Sequence, residues 1–188
     1  STHTDSSASS DVYKRQFYTI LVYLGKQTMS NNHINESGNL HMIDVSDKQI
    51  TTRVAKASGT ITLNDDALSS IVKLNNKKGD VLNAARLAGI HAAKQTFSLI
   101  PLAHNVSLNS VDIDFEIDEN TNEILSIAQV KSEGKTGVEI EAMVSVQISL
   151  MTIYDMCKYL DKGMEINKVR LLSKTGGKSG DYVRGDSV

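Results

Sequence analysis

Glu141, Asp155 and Lys158 are among the few polar residues in an otherwise apolar stretch, Val138 to Leu160. Read as a helix, that stretch turns about 100° per residue, so Asp155 lies about 40° from Glu141 in projection and Lys158 about 60° further round. The three therefore share one stripe. An ammonium one turn from a carboxylate lowers its pKa or is itself tuned by burial, and such a pair can move protons in a reaction. Acid near a helix start and base near its end also suit the macrodipole, so the stripe alone leaves a structural reading open.

His104, in the segment IPLAHN, adds the side chain most readily poised near neutral pH, with a satisfied structural histidine as the alternative. His91, inside an expected helix, reads as structural, and His33 and His41 lie near the start of the chain. Two Gly-Lys loops are present, Lys77-Lys78-Gly79-Asp80 and Lys174-Thr175-Gly176-Gly177-Lys178-Ser179-Gly180-Asp181. Glycines let backbone N–H groups approach an anion and lysines supply charge. Neither matches the GxxxxGK[ST] phosphate loop. A third glycine pair, GKTG at 134–137, precedes the long helix and could deliver an anion to its N-terminus.

Around these residues the elements follow from periodicity. Residues 50–63 read as a strand broken near Gly59, and Asn64-Asp65-Asp66 caps a short helix from Ala67 to Leu74. Asp80 caps an Ala-rich helix from Val81 to about Leu99, closed by Pro101, the only proline. From Val106 to Ile117, the residues Val111, Ile113, Phe115 and Ile117 alternate with Asp112, Asp114 and Glu116, the pattern of a strand with one wet face. Residues 118–122 turn the chain into a partner strand, Glu123 to Glu133. The helix from Val138 to Leu160, about 34 Å long, is apolar almost all round and must be buried on more than one side. One sheet covers one side, which assigns the other to a second subunit. Ile166 to Leu172 reads as a last strand, followed by a Gly-rich loop. Strand, helix, strand, strand, helix, strand is the α+β, ferredoxin-like (split βαβ) order: an antiparallel sheet with long helices on one face.

Composition narrows the function. The 188 residues carry 20 basic and 22 acidic side chains, a formal charge of -2, which excludes a bulk-basic nucleic-acid binder. Trp is absent and aromatics are 5%, leaving little for base stacking. A single cysteine, Cys157, rules out an intrachain disulfide or a CxxC knuckle and suits a core residue in a reducing compartment. Residues 1–28 differ from the rest: STHTDSSASS is polar and of low complexity. Phe17 to Leu24 is too short to span a bilayer, which needs roughly 20 residues, and no small-x-small cleavage site follows it. The expectation is a disordered or non-native leader over 1–28, dispensable to the protein, and a single catalytic domain from Met29 to 188, cytoplasmic and without a membrane or nucleic-acid partner.

Six stretches carry a more specific signal: HMIDVSDK (41–48), KGDVLNAARLAGIHAAK (78–94), SLIPLAHNVSL (98–108), GKTGVEIEA (134–142), TIYDMCK (152–158) and VRLLSKTGGKSGD (169–181). In this order they resemble the cyclic pyranopterin monophosphate synthase family of molybdenum cofactor biosynthesis. The resemblance implies a lyase that rearranges a cyclic dihydro-GTP derivative into a pyranopterin with a cyclic phosphate and releases pyrophosphate. It implies catalytic roles for Asp155, Lys158, His104, Lys78, Glu139 and Glu141. It implies substrate contacts at Leu102, Ala103, His104, Ile140 and Glu141. A triphosphate that loses pyrophosphate needs cationic clamps, and Lys78, Lys174 and Lys178 are the candidates. The resemblance also implies a homo-oligomer built from dimers, a hexamer. Magnesium can accompany the substrate phosphates, although the sequence shows no metal-ligand cluster. Ala103 and Asn105 stand where the family more often has Cys and Pro, and Thr175 where Ser is common, so the histidine loop is expected to be less rigid. The rival reading from another class is a non-catalytic ferredoxin-like ligand-binding or regulatory module, which leaves the carboxylate-lysine stripe and the Gly-Lys loops without a purpose.

Overall fold

The computed structural model describes residues 33–35 and 37–185. The chain divides into two compact units, Ser1–Ile43 and Asp44–Val188. In the first, Ile34 and Leu40 form an isolated antiparallel bridge, and His33 Nδ1 lies 3.3 Å from the His41 carbonyl. The leader 1–28, with its apolar run and the boundary at Met29, lies outside the described residues.

The second unit runs β1 (Thr51–Thr62), α1 (Asp65–Val72), α2 (Val81–Leu99), β2 (Leu108–Asp118), β3 (Glu123–Gly134), α3 (Glu139–Cys157), β4 (Glu165–Thr175) and β5 (Tyr182–Val183). The sheet order is β2-β3-β1-β4-β5, with every pair antiparallel. This is the expected ferredoxin-like arrangement with a short strand added at the β4 edge. Ala57 pairs with Ala128 and Ile61 with Ile124, so the apolar parity of the central strands points into one core. Asn64 and Asp80 accept the N–H groups of Ala67 and Asn83 at 2.9 and 3.0 Å and start the two helices, as their side chains suggested.

Three expectations are corrected. β1 is not broken at Gly59. It runs unbroken, and the irregularity falls in its pairing with β4, where the register shifts twice, between Lys56 and Ala57 and between Ser58 and Thr60. Gly59 serves packing instead: a Cβ there would lie 2.9 Å from both Val146 and Val169, so its absence lets α3 settle on the sheet. The second flank of α3 is not left to another subunit alone, because α2 packs along it within the same chain. What stays uncovered is narrower: Ile140, Gln147, Met151, Asp155 and Lys158 are exposed, at the spacing of one helical stripe. The third concerns length, since α3 ends at Cys157 and not at Leu160.

The two long helices run antiparallel in close contact. Lys78, just before α2, meets Asp155 near the end of α3, and Gly89, midway along α2, faces Ser145 and Ser149. A Cβ on Gly89 would lie 2.9 Å from the Ser145 carbonyl oxygen, a backbone atom, and would collide with Ser149 Oγ. Alanine is about 1 kcal/mol better than glycine inside a helix, but overpacking costs about 1–3 kcal/mol, so the clash wins. Gly89→Ala is expected to lower the urea midpoint without changing the slope; a rise in midpoint would mean that the helices can part freely.

Candidate active site

At the C-terminal end of α3, three of the expected residues converge. Lys158 Nζ lies 2.7 Å from Asp155 Oδ1, and Lys78 Nζ lies 3.1 Å from Asp155 Oδ2 and donates to the Asp155 carbonyl at 2.7 Å. The Lys158 hydrogen bond, then the Lys78 hydrogen bond, hold the Asp155 carboxyl below its ordinary value, and Asp155 in return raises Lys158. These side chains are a third to a half exposed, so their pairing adds little to stability. What it fixes is an ionised carboxylate between two ammonium groups, a base with proton donors and cations beside it.

A second group gathers at the other end of α3. Lys174 Nζ, on β4, lies 3.3 Å from Glu139 Oε1 and 2.9 Å from Ser179 Oγ in the Gly-rich loop. Asp181 accepts the Gly176 N–H at 3.1 Å and closes that loop, and Lys178 is exposed within it. The Glu139 carboxylate folds back over Gly137, at the helix start where the GKTG segment suggested an anion. A carboxylate of the chain itself thus occupies that position. Ile140 is exposed beside it.

Glu141 departs from the shared-stripe expectation. It is 5% exposed, turned away from the open stripe that carries Asp155 and Lys158. Burial raises its pKa above the ordinary glutamate value, and the neighbouring charge of Glu139 adds to the rise. Such a carboxyl is suited to hold and give up a proton. Its folded form binds the proton more tightly than the unfolded chain does, so stability falls as pH rises from about 4.5 through the folded pKa. Glu141→Gln is therefore expected to melt higher than the parent at neutral pH and to lose this part of the pH dependence. Equal melting temperatures across pH 4–8 would show that Glu141 is not buried in solution.

Leu102, Ala103 and His104 are half-buried in the loop after α2. The Ala103 N–H donates to the Ile100 carbonyl at 3.0 Å. The loop reaches back to the β3 end: a Cβ on Gly134 would lie 4.0 Å from Val106. His104 thus belongs to the Glu139 end of the unit, away from Asp155. From Glu141 to Asp155 is about 21 Å along the helix axis. His91 is exposed on α2, and Cys157 is buried with its thiol pushed up to about 11, chiefly by desolvation, which suits an inert core residue.

One residue of this end was missed by sequence reasoning. Arg53 is 9% exposed, and its guanidinium donates to the carbonyls of Gly134 and Lys135 at 3.3 and 3.4 Å. Gly177 packs directly on it, where a Cβ would collide with Nη1. The signal was there: Arg53 shares the inward parity of Ala55, Ala57 and Ile61, and a charge on a core-facing position needs a reason. Among the described residues no group of three or more His, Cys, Asp and Glu could hold a metal ion. Among the same residues α3 alone is long and apolar enough to cross a membrane, and it is packed against the sheet and α2.

Comparison with known proteins identifies the family. The chain is 54% identical over 153 residues to the cyclic pyranopterin monophosphate synthase of Staphylococcus carnosus (strain TM300), covering 81% of this chain and 95% of that protein. It is 50% identical over 152 residues to the protein of the same name from Clostridium botulinum (strain Alaska E43 / Type E3), covering 81% and 96%. It is 47% identical over 156 residues to that of Peptoclostridium acidaminophilum, covering 83% and 98%. The model of the MoaC family matches residues 42–177, a span that holds both ends of α3, the histidine loop and Lys174. With its ferredoxin-like sheet and relatives matched over nearly their whole length, this chain belongs to the MoaC family.

Proposed function

We propose that this chain is a cyclic pyranopterin monophosphate synthase of molybdenum cofactor biosynthesis, a lyase acting in the cytoplasm on a cyclic dihydro-GTP derivative. It rearranges that substrate to a pyranopterin bearing a cyclic phosphate and releases pyrophosphate. The observation that carries the reading is the Asp155 carboxylate held between Lys78 and Lys158. Opening and re-closing a purine ring needs proton transfers at several atoms, and this cluster supplies a base with charged donors beside it. Glu141, kept protonated more readily by burial, supplies an acid, with Glu139 and His104 at the same end. Loss of pyrophosphate needs cations on the phosphates; Lys174, bonded to Ser179 of the Gly-rich loop, Lys178 within that loop and Arg53 against Gly177 would supply them. Leu102, Ala103 and Ile140 offer apolar contact to the ring system. Magnesium would accompany the substrate phosphates.

The two groups of residues are too far apart for one small substrate, and the exposed stripe of α3 supports an answer. Ile140, at the Glu139 end, and Met151, one turn before Asp155, are 42% and 54% exposed. An antiparallel second copy packed on this stripe would cover both and bring the Glu139–Glu141 end of one protomer's α3 to the Asp155 end of its partner's. Each dimer would then hold two sites, and a hexamer three such dimers. Incubating the protein with the cyclic GTP derivative tests the activity: pyrophosphate in step with pterin is expected. Tight binding without pyrophosphate would favour the non-catalytic module.

A further inference from the structure

Lys78 does not reach Asp155 from a helix or a strand. It stands in the loop between α1 and α2, and a loop residue positions an ammonium group well only if something holds the backbone. Beneath it lies Asn76, 7% exposed, with every hydrogen-bonding group of its side chain engaged. Its Oδ1 accepts the Lys78 N–H at 2.9 Å. Its Nδ2 donates to Ser70 Oγ at 3.1 Å and lies 3.6 Å from Cys157 Sγ. Ser70 donates in turn to the Ala67 carbonyl at 2.8 Å, and the Asn76 carbonyl accepts the Gly79 N–H at 2.9 Å. An amide offers one acceptor and two donors, and here all have partners on α1, on α3 and in the loop.

The loop bends through two left-handed positions, Leu74 at φ 54° and Gly79 at φ 96°. For leucine that conformation is unfavourable on its own and needs support from its surroundings. On the outer side the Tyr159 hydroxyl accepts the Lys77 N–H at 3.2 Å, and the Lys77 ammonium sits 3.6 Å over the Tyr159 ring. Lys78 is thus the residue between a buried anchor and a surface one. A buried amide costs free energy unless all its bonds are made, and an apolar side chain would fill the space without that demand. The bonds specify where the loop sits.

We propose that Asn76 is a positioning residue for the reaction proposed above: by holding the Lys78 N–H to a frame built from Ser70 and Cys157, it aims the Lys78 ammonium at the Asp155 carboxylate. The inference rests on Lys78 acting in that reaction.

The test is a cycle of Asn76→Ala, Lys78→Ala and the double variant, with kcat and KM measured by pyrophosphate release per folded protein. Asn76→Ala is expected to lower kcat about 10- to 100-fold, the scale of a misplaced catalytic group, with KM little changed. In the Lys78→Ala background the same substitution should change kcat less than about threefold, because its effect has nothing left to act through. Asn76→Asp keeps the acceptor for the Lys78 N–H and should recover most of kcat while melting lower than the parent. Should Asn76→Ala not fold, Asn76→Leu, of similar volume, takes its place in the cycle. An unchanged kcat in Asn76→Ala, or the same full loss with and without Lys78, would overturn the proposal. A parental rate in Lys78→Ala itself is a different result: it would overturn the reading of the site, and this inference with it.

Discussion

Asp155→Asn is expected to fold like the parent and to lose about 10²- to 10⁴-fold in turnover, the usual contribution of a positioned acid-base group. The substitution keeps the shape and one acceptor for Lys78 or Lys158, and removes the charge both of them face. Its effect on stability should be small, because all three side chains are open to solvent and such pairs are screened. Lys158→Ala should act in the same direction on rate. Steady-state pyrophosphate release, set beside a thermal melt, separates the two effects. Near-parental rates in both variants would mean that the cluster only trims a helix end, the alternative that the macrodipole leaves open.

Mixing inactive Glu141→Ala and Asp155→Ala proteins under conditions that exchange subunits is expected to restore activity from almost nothing. With random exchange half the dimers are mixed and each has one intact site of two, so about a quarter of the parental activity should return. The expectation follows from the separation along α3 and from the exposed stripe of Ile140, Gln147 and Met151 that runs from one end toward the other. A buried seam there would also protect Met151 from oxidation in the assembled protein. No recovery, with exchange shown by mass-tagged subunits, would place the whole site within one chain.

How much of this was legible depends on how local each cause is. The bounds of α2 were readable because Asp80 caps it and Pro101 lies just past its end, both local effects. β2 was readable because its outer face is wet, so apolar and acidic residues alternate. Gly59 was misread as a break because glycine weakens a strand in isolation, whereas here its missing side chain admits Val146 and Leu150 of α3. Arg53 was overlooked although its parity marked it, since the carbonyls that accept from it lie 81 and 82 residues away.

Caps, turns and periodicity act within a few residues, so the order of the long elements, and hence the ferredoxin-like class, was readable without the short edge strand Tyr182–Val183. The sequence by itself also marked the side chains that the proposed reaction would use. Only the tertiary structure decided how they are grouped. Lys78 meets Asp155 across 77 residues, and Glu139 meets Lys174 across the sheet edge, while Glu141, one turn-fraction from an exposed neighbour, is buried. Those outcomes follow from the antiparallel packing of α2 on α3 and of α3 on β1, which depend on long-range contacts between surfaces that no local pattern specifies.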